Sequence, residues 1–138
     1  MLKNMIAVIA GIFAGSTVVY LMQNINESIF PLPENLDFTD PEIVFAAIGN
    51  QPMGALLTIM ISHAIGAFVA CYIAAKISEN NPRRQALITS AIFIVAVITA
   101  ITMIPYPIWM YVLDIAGAIV GTLLAIYLAT GHSNDSLI

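Results

Sequence analysis

Four long apolar runs constrain the fold of this chain more than any other feature. They cover residues 5–22, 53–77, 86–104 and 108–129. A helix needs about 20 apolar residues to cross the hydrocarbon core of a bilayer, and each run is close to or above that length. Backbone groups in lipid must be hydrogen-bonded within the protein, so runs of this kind predict α-helices. We therefore predict an all-α protein, an integral membrane bundle of four transmembrane helices in a single domain over residues 1–138.

The composition favours a membrane protein and excludes several soluble classes. Of the 138 residues, 60% are hydrophobic and 9% are charged, whereas soluble domains have about 45–50% apolar and 25% charged residues. Four Lys and Arg residues are too few for a nucleic-acid interface, and one Cys excludes a disulfide framework. We expect membrane lipids, and no nucleic acid, as partners.

The first run is predicted to be a retained transmembrane helix. Lys3 precedes it, and Ala14, Gly15 and Ser16 resemble a signal-peptide cleavage site. The apolar part of a signal peptide is only about 7–15 residues long, which is shorter than this run.

The few charges predict an orientation. Basic residues in short loops stay on the cytoplasmic side of the membrane, and all four basic residues fall on one side if the helices alternate in direction. Both termini are therefore predicted to be cytoplasmic, with the chain integral to the cytoplasmic membrane. The long connection, residues 23–52, then lies outside and has no Lys or Arg. Its carboxylates are Glu27, Glu34, Asp37, Asp40 and Glu42.

This connection also contains the signals of a short extra helix. Pro31 and Pro33 hold the chain extended. Residues 39–42 then supply an N-cap, a first-turn proline and a capping glutamate, and residues 49–52 stop the helix. We expect this helix to lie on the outer membrane surface or over the bundle. The carboxylates fit a solvated acidic surface better than a calcium site, because no EF-hand spacing is present.

Small residues at four-residue spacing predict where the helices pack. In lipid, such residues allow close backbone contact. We expect the first, second and fourth membrane helices to form a tight core, and the third to face lipid or a partner. Alternatively, these stripes are incidental, because small residues are common in membrane helices. The predicted packing residues are Gly11, Gly15, Ser62, Gly66, Ala70, Gly117 and Gly121.

Two ionisable residues lie inside predicted spans, His63 and Asp114. Counted from the outer ends of their helices at 1.5 Å per residue, they lie at depths of about 15 Å and about 9 Å. A charge at membrane depth usually faces the bundle interior and finds a partner, so a His63–Asp114 contact is predicted. The pair is either a polar clamp between two helices or a relay for protons or cations.

No motif predicts catalysis, a metal site or a cofactor. The chain has no GxGxxG, P-loop, CxxC or HExxH sequence. Ser62 and His63 are adjacent in sequence and therefore point in different directions on a helix, so they do not form a nucleophile and base. We expect a protein without catalytic activity.

Three stretches resemble a family of small four-helix bacterial integral membrane proteins with no assigned activity. The resemblance implies the architecture and no particular chemistry. The stretches are Phe30-Pro31-Leu32-Pro33-Glu34 through Glu42, Ser62-His63-Ala64-Ile65-Gly66 through Ile77, and Met103-Ile104-Pro105-Tyr106-Pro107-Ile108-Trp109 through Asp114.

Two functions are consistent with the sequence, and we predict the first of them, because a four-helix bundle is too small to enclose a wide pathway alone. In the first, the protein is an accessory or scaffold subunit of a larger membrane complex or a homo-oligomer. In the second, it is a small ion- or proton-coupled transporter or channel that uses His63 and Asp114. A transporter needs a water-accessible cavity that reaches this pair, whereas a subunit needs an extensive protein contact on the third membrane helix or the long connection.

Overall fold

The computed structural model describes residues 2–131 and confirms the predicted all-α four-helix bundle with one extra helix. Four of its five helices are long and apolar enough to cross a membrane. The helices are α1 Leu2–Ile29, α2 Pro41–Gly49, α3 Met53–Ile77, α4 Pro82–Met103 and α5 Ile108–Thr130.

Two helices are longer than the apolar runs predict. Helix α4 begins at Pro82 and not at residue 86, because a proline is well accommodated in the first turn of a helix. Helix α1 continues past residue 22 to Ile29, so the first part of the predicted connection is helical. Asn24 and Ser28 each donate a side-chain hydrogen bond to the carbonyl four residues earlier, and these polar side chains are therefore compatible with the helix.

Helix α2 forms where its capping residues predict. The Asp40 carboxylate accepts hydrogen bonds from the backbone N–H groups of Glu42 (2.9 Å) and Ile43 (3.4 Å). Val44 and Ile48 are buried against the bundle in one cluster with Leu56 of α3 and Met110 of α5. The short helix thus covers one end of the bundle. We call this end, where residues 30–52 and 104–107 lie, the connection end. We call the opposite end, where α1 begins and α5 finishes, the terminus end.

Helix α3 is the centre of the bundle. It packs against α1, α4 and α5, while α1 and α5 do not contact each other within residues 2–131. Gly11 and Gly15 of α1 lie against the α3 backbone at Ala70 and Gly66. The third membrane helix, α4, is less peripheral than expected, because it packs Phe93, Val97 and Ile101 into the core.

The two glycines of α5 are packed differently. A Cβ atom on Gly121 would overlap the backbone carbonyl oxygen of Ala64, whereas a Cβ atom on Gly117 would lie 3.5 Å from the Ala64 side chain, an ordinary contact. Only at Gly121 is the absence of a side chain required by the approach of α3 and α5.

These glycines provide a matched pair of substitutions on one helix. We expect Gly121→Ala to lower the free energy of unfolding by about 1–3 kcal/mol, because a methyl group must displace the α3 backbone. Gly117→Ala should be neutral or slightly stabilising, because alanine has the higher helix propensity. The free energy of unfolding of each purified variant is measured in mixed detergent micelles. Equal destabilisation by the two substitutions would contradict this packing.

Candidate functional site

The structure brings His63 and Asp114 together across the contact between α3 and α5. His63 Nδ1 lies 2.9 Å from Oδ1 and 2.8 Å from Oδ2 of Asp114. His63 is 4% exposed and Asp114 is 0% exposed. The carboxylate is therefore enclosed by protein, and the imidazole is its ionic or hydrogen-bonding partner.

The packing of α3 on α5 explains how a side chain as short as aspartate reaches the histidine. Ala64 follows His63 directly, and it faces Gly117 and Gly121, which lie about one and two turns after Asp114. Small residues at these positions let the two backbones approach closely.

A third helix reaches the same histidine. Gln23 Nε2 of α1 lies 3.3 Å from His63 Nε2. An ionised carboxylate only accepts hydrogen bonds, so we assign the proton of neutral His63 to Nδ1, which donates to Asp114. Nε2 is then the acceptor for the Gln23 amide N–H. Helices α1, α3 and α5 are linked through the two nitrogens of one imidazole ring.

A cavity of about 270 Å³ extends from the connection end to His63. Its walls are mainly apolar and come from α1, α2, α3, α4 and the connections between them. Its polar lining residues are Gln23, Asn26, Glu27, Gln51, His63 and Tyr106.

Tyr106 lies in the short connection between α4 and α5 and is held in place there. The Tyr111 hydroxyl accepts a hydrogen bond from the Tyr106 backbone N–H (3.2 Å) and donates one to the Ile104 carbonyl (3.1 Å). Burial, and then the nearby Asp114, Tyr111 and Glu27 side chains, raise the pKa of Tyr106 to about 12. Tyr106 is therefore a neutral hydroxyl in the cavity wall at physiological pH.

Two amide oxygens in the lining have no hydrogen-bond partner among the described residues. They are Oδ1 of Asn26, a residue that is 7% exposed, and Oε1 of Gln51. A buried polar atom without a partner costs about 1–3 kcal/mol, and most such atoms in folded proteins are paired. Both residues line the cavity, and each has a buried acceptor that a hydrogen-bond donor would satisfy.

Beyond the pair, one layer of the bundle is apolar and buried. One turn further towards the terminus end, Ala67 follows His63 and Ala118 follows Asp114, and both are fully buried with Phe93 and Val97. A second polar cluster lies beyond this layer. There Ser90 and Thr122 are hydrogen-bonded at 3.0 Å, and Cys71 Sγ lies 3.7 Å from the Thr122 hydroxyl.

The other predicted residues do not join the site, except for Glu27. Ser62 is buried, but its hydroxyl donates to the Ile59 carbonyl in its own helix (2.6 Å). Asp37 accepts hydrogen bonds from the Thr39 hydroxyl and backbone, which lower the pKa of its carboxyl group. Asp40 caps α2, while Glu34 and Glu42 are exposed.

Four further residues belong to the site and are not predicted from the sequence: Gln23, Asn26, Gln51 and Tyr106. Gln23, Asn26 and Glu27 follow the spacing of one helical face, which would have revealed them if α1 had been extended past residue 22. Gln51 and Tyr106 lie in connections, and their positions depend on tertiary packing.

The chain matches no protein-family model, no curated protein and no solved structure. The resemblance to small four-helix bacterial membrane proteins thus stays a prediction. Within residues 2–131, no three His, Cys, Asp or Glu side chains come together as a metal site.

Proposed function

We propose that this chain is a small membrane transport protein that couples movement of a proton or cation to the His63–Asp114 pair. The observation that carries the proposal is the cavity that extends from the connection end to His63, which is bonded to the buried Asp114. A polar clamp needs the contact between the two residues but has no need of a cavity leading to it.

The charge of the pair changes when it takes up a proton. With Asp114 ionised and His63 neutral, the pair has a net charge of −1, and one added proton makes it neutral. Charge inside a membrane is costly, so a proton or another cation entering the site relieves this cost. The pair is thus suited to bind and release one positive charge.

Proton uptake at His63 also requires Gln23 to respond. In neutral His63, Nε2 accepts from the Gln23 amide N–H, but a protonated Nε2 becomes a donor. The Gln23 amide must then turn to present its oxygen. Since Gln23 belongs to α1, the protonation state of His63 is coupled to the contact between α1 and α3.

The surroundings of His63 contain few other titratable groups. Asp114 of α5 is its direct partner, and Glu27 of α1 and Tyr106 of the α4–α5 connection line the same cavity. Helices α2 and α4 contribute only apolar lining residues, among them Val44, Ile48 and Ile101. A pH-dependent step at this site is therefore assigned to His63 and Asp114, with Glu27 at the cavity wall.

The apolar layer formed by Ala67, Phe93, Val97 and Ala118 separates this pair from the polar cluster at Ser90 and Thr122. In transport, this layer must open while the connection end closes. The arrangement corresponds to one of the two access states of a carrier, and not to a continuous channel.

The second candidate function is an accessory or scaffold subunit, and the exposed surface of α1 favours it. Helix α1 has large exposed apolar side chains that include Phe13, Tyr20 and Ile25, and a smaller share of it is buried inside the bundle than of α3, α4 or α5. Lipid covers such a surface in a monomer, whereas another membrane subunit or a second copy of the chain covers it in a complex.

The proposal also covers which membrane the protein occupies and how it is oriented there. Four apolar helices support a membrane protein. We propose the bacterial inner membrane on the resemblance to small bacterial membrane proteins, and cytoplasmic termini with the connection end outside on the distribution of Lys and Arg.

Proton flux into vesicles tests the transport function. We expect purified protein reconstituted into liposomes with an entrapped pH dye to collapse an imposed pH gradient faster than empty liposomes. Asp114→Asn should abolish this flux because it removes the titratable carboxyl group. Thr99→Val is the matched control, because Thr99 is exposed on α4 and bonds only its own backbone at Val95.

A wild-type flux equal to that of empty liposomes, tested with and without cation gradients, would contradict the transport function. A membrane subunit that co-purifies with the inactive protein would then favour the scaffold function. Equal loss of flux in Asp114→Asn and Thr99→Val would remove the assignment of this pair.

Cysteine labelling tests the orientation separately. We expect Asn35→Cys to react with a membrane-impermeant thiol reagent added to whole cells, and Asn81→Cys to be protected. The unsubstituted chain gives the background from Cys71, which is buried. The opposite labelling pattern would reverse the proposed orientation.

A further inference from the structure

We infer that the cavity at the connection end is a binding site for a small organic ammonium ion with an apolar body. This inference rests on the proposed function, because it assigns the ligand class of the same site. It is carried by the lining of the cavity, which offers acceptors and negative charge at a few points and apolar surface elsewhere.

Two residues in the cavity wall have hydrogen-bond acceptors without a partner in the described part of the chain. Asn26 Oδ1 and Gln51 Oε1 are both buried and have no hydrogen-bond partner among the described residues. Both belong to the lining, yet they come from different elements, the end of α1 and the connection after α2. A ligand that donates hydrogen bonds would satisfy them once the side-chain amides turn towards the cavity, and an ammonium group has donors but no acceptor to conflict with them.

The charged residues around the cavity favour a cationic ligand. Glu27 lies in the lining, Asp114 lies directly behind His63, and no Lys or Arg lines this cavity. An anionic ligand would face the Glu27 carboxylate with no Lys or Arg in the lining to offset it. A cation is favoured by both carboxylates, and its hydrogen bonds to the amide oxygens are of the stronger, charge-assisted kind.

The apolar wall of the cavity favours an organic cation over a metal ion. Most of the wall is apolar, and it includes the aromatic side chains Phe30 and Phe38. Calcium and magnesium require six or more oxygen ligands, and residues 2–131 hold no group of three His, Cys, Asp or Glu side chains. An apolar wall instead stabilises the carbon body of an amine.

The volume sets the size of the ligand. An apolar cavity of about 150 Å³ holds benzene, so this cavity of about 270 Å³ has room for an aromatic ring with a short alkylammonium chain. The compound 2-phenylethylammonium is a suitable probe. Two molecules of nearly the same shape differ from it only in the polar group, the neutral 2-phenylethanol and the anionic phenylacetate.

Binding to the full chain in lipid nanodiscs tests the inference, with empty nanodiscs as the reference for partition into lipid. We expect 2-phenylethylammonium to bind at least about tenfold more tightly than 2-phenylethanol, since one hydrogen bond to a charged group contributes about that factor. Phenylacetate should not bind above the reference. Equal affinity for the amine and the alcohol would overturn the ammonium assignment.

Substitutions at Asn26 locate the site. Asn26→Leu should weaken amine binding about tenfold, and Asn26→Asp should strengthen it, because it adds a carboxylate beside the ammonium group. Opposite effects at one position are not produced by misfolding. Asn24→Leu is the matched control, because Asn24 is an exposed asparagine on the same turn of α1 that bonds only its own backbone at Tyr20. Equal weakening by Asn24→Leu and Asn26→Leu, or weakening by Asn26→Asp, would overturn the site.

These measurements use no gradient, so they are independent of transport. Amine binding without proton flux, measured with and without cation gradients, would leave this site in place and contradict the proposed function. Proton flux without amine binding would support the proposed function and overturn this inference.

Discussion

The burial of one carboxylate inside an apolar bundle is the constraint on which this structure depends. Asp114 has no exposed surface, and an ionised group removed from water needs an ionic or hydrogen-bonding partner in the protein. His63 meets this need only if α3 and α5 approach closely. Ala64 and Gly121 permit that approach, because the α5 backbone has no side chain where it meets the Ala64 carbonyl oxygen. The small residues and the polar pair are therefore two parts of the same helix contact.

The same pair connects the packing of the bundle to its proposed function. His63 uses one nitrogen for Asp114 and the other for Gln23, so its protonation state affects contacts of α3 with both α5 and α1. The cavity reaches the imidazole from the connection end, and the apolar layer at Ala67 and Ala118 closes the opposite side. A site that is open on one side, has a buried carboxylate behind its base and is lined by residues with unpaired acceptors is suited to receive a positively charged species.

The sequence predicts the bundle well because hydropathy and length decide which segments cross a membrane. It also predicts that His63 and Asp114 lie at similar depth, because helical rise converts sequence position into depth. It does not predict the cavity. Gln23 and Asn26 follow the end of an apolar run, where the sequence predicts a connection, yet their helix continues to Ile29 and packs beside α3. The contribution of Gln51 and Tyr106 depends on how two connections fold over the bundle, which no local pattern encodes.

The most direct test of this account is a double-mutant cycle between His63 and Asp114, measured on the free energy of unfolding in detergent. For His63→Gln combined with Asp114→Asn, the account predicts a coupling energy of about 0.6 kcal/mol or more, the range for polar contacts between membrane helices. The control cycle, His63→Gln with Ser90→Ala, should be additive, because Ser90 bonds Thr122 beyond the apolar layer. Additive effects of His63→Gln and Asp114→Asn would contradict the account, because they would show that the two side chains do not interact.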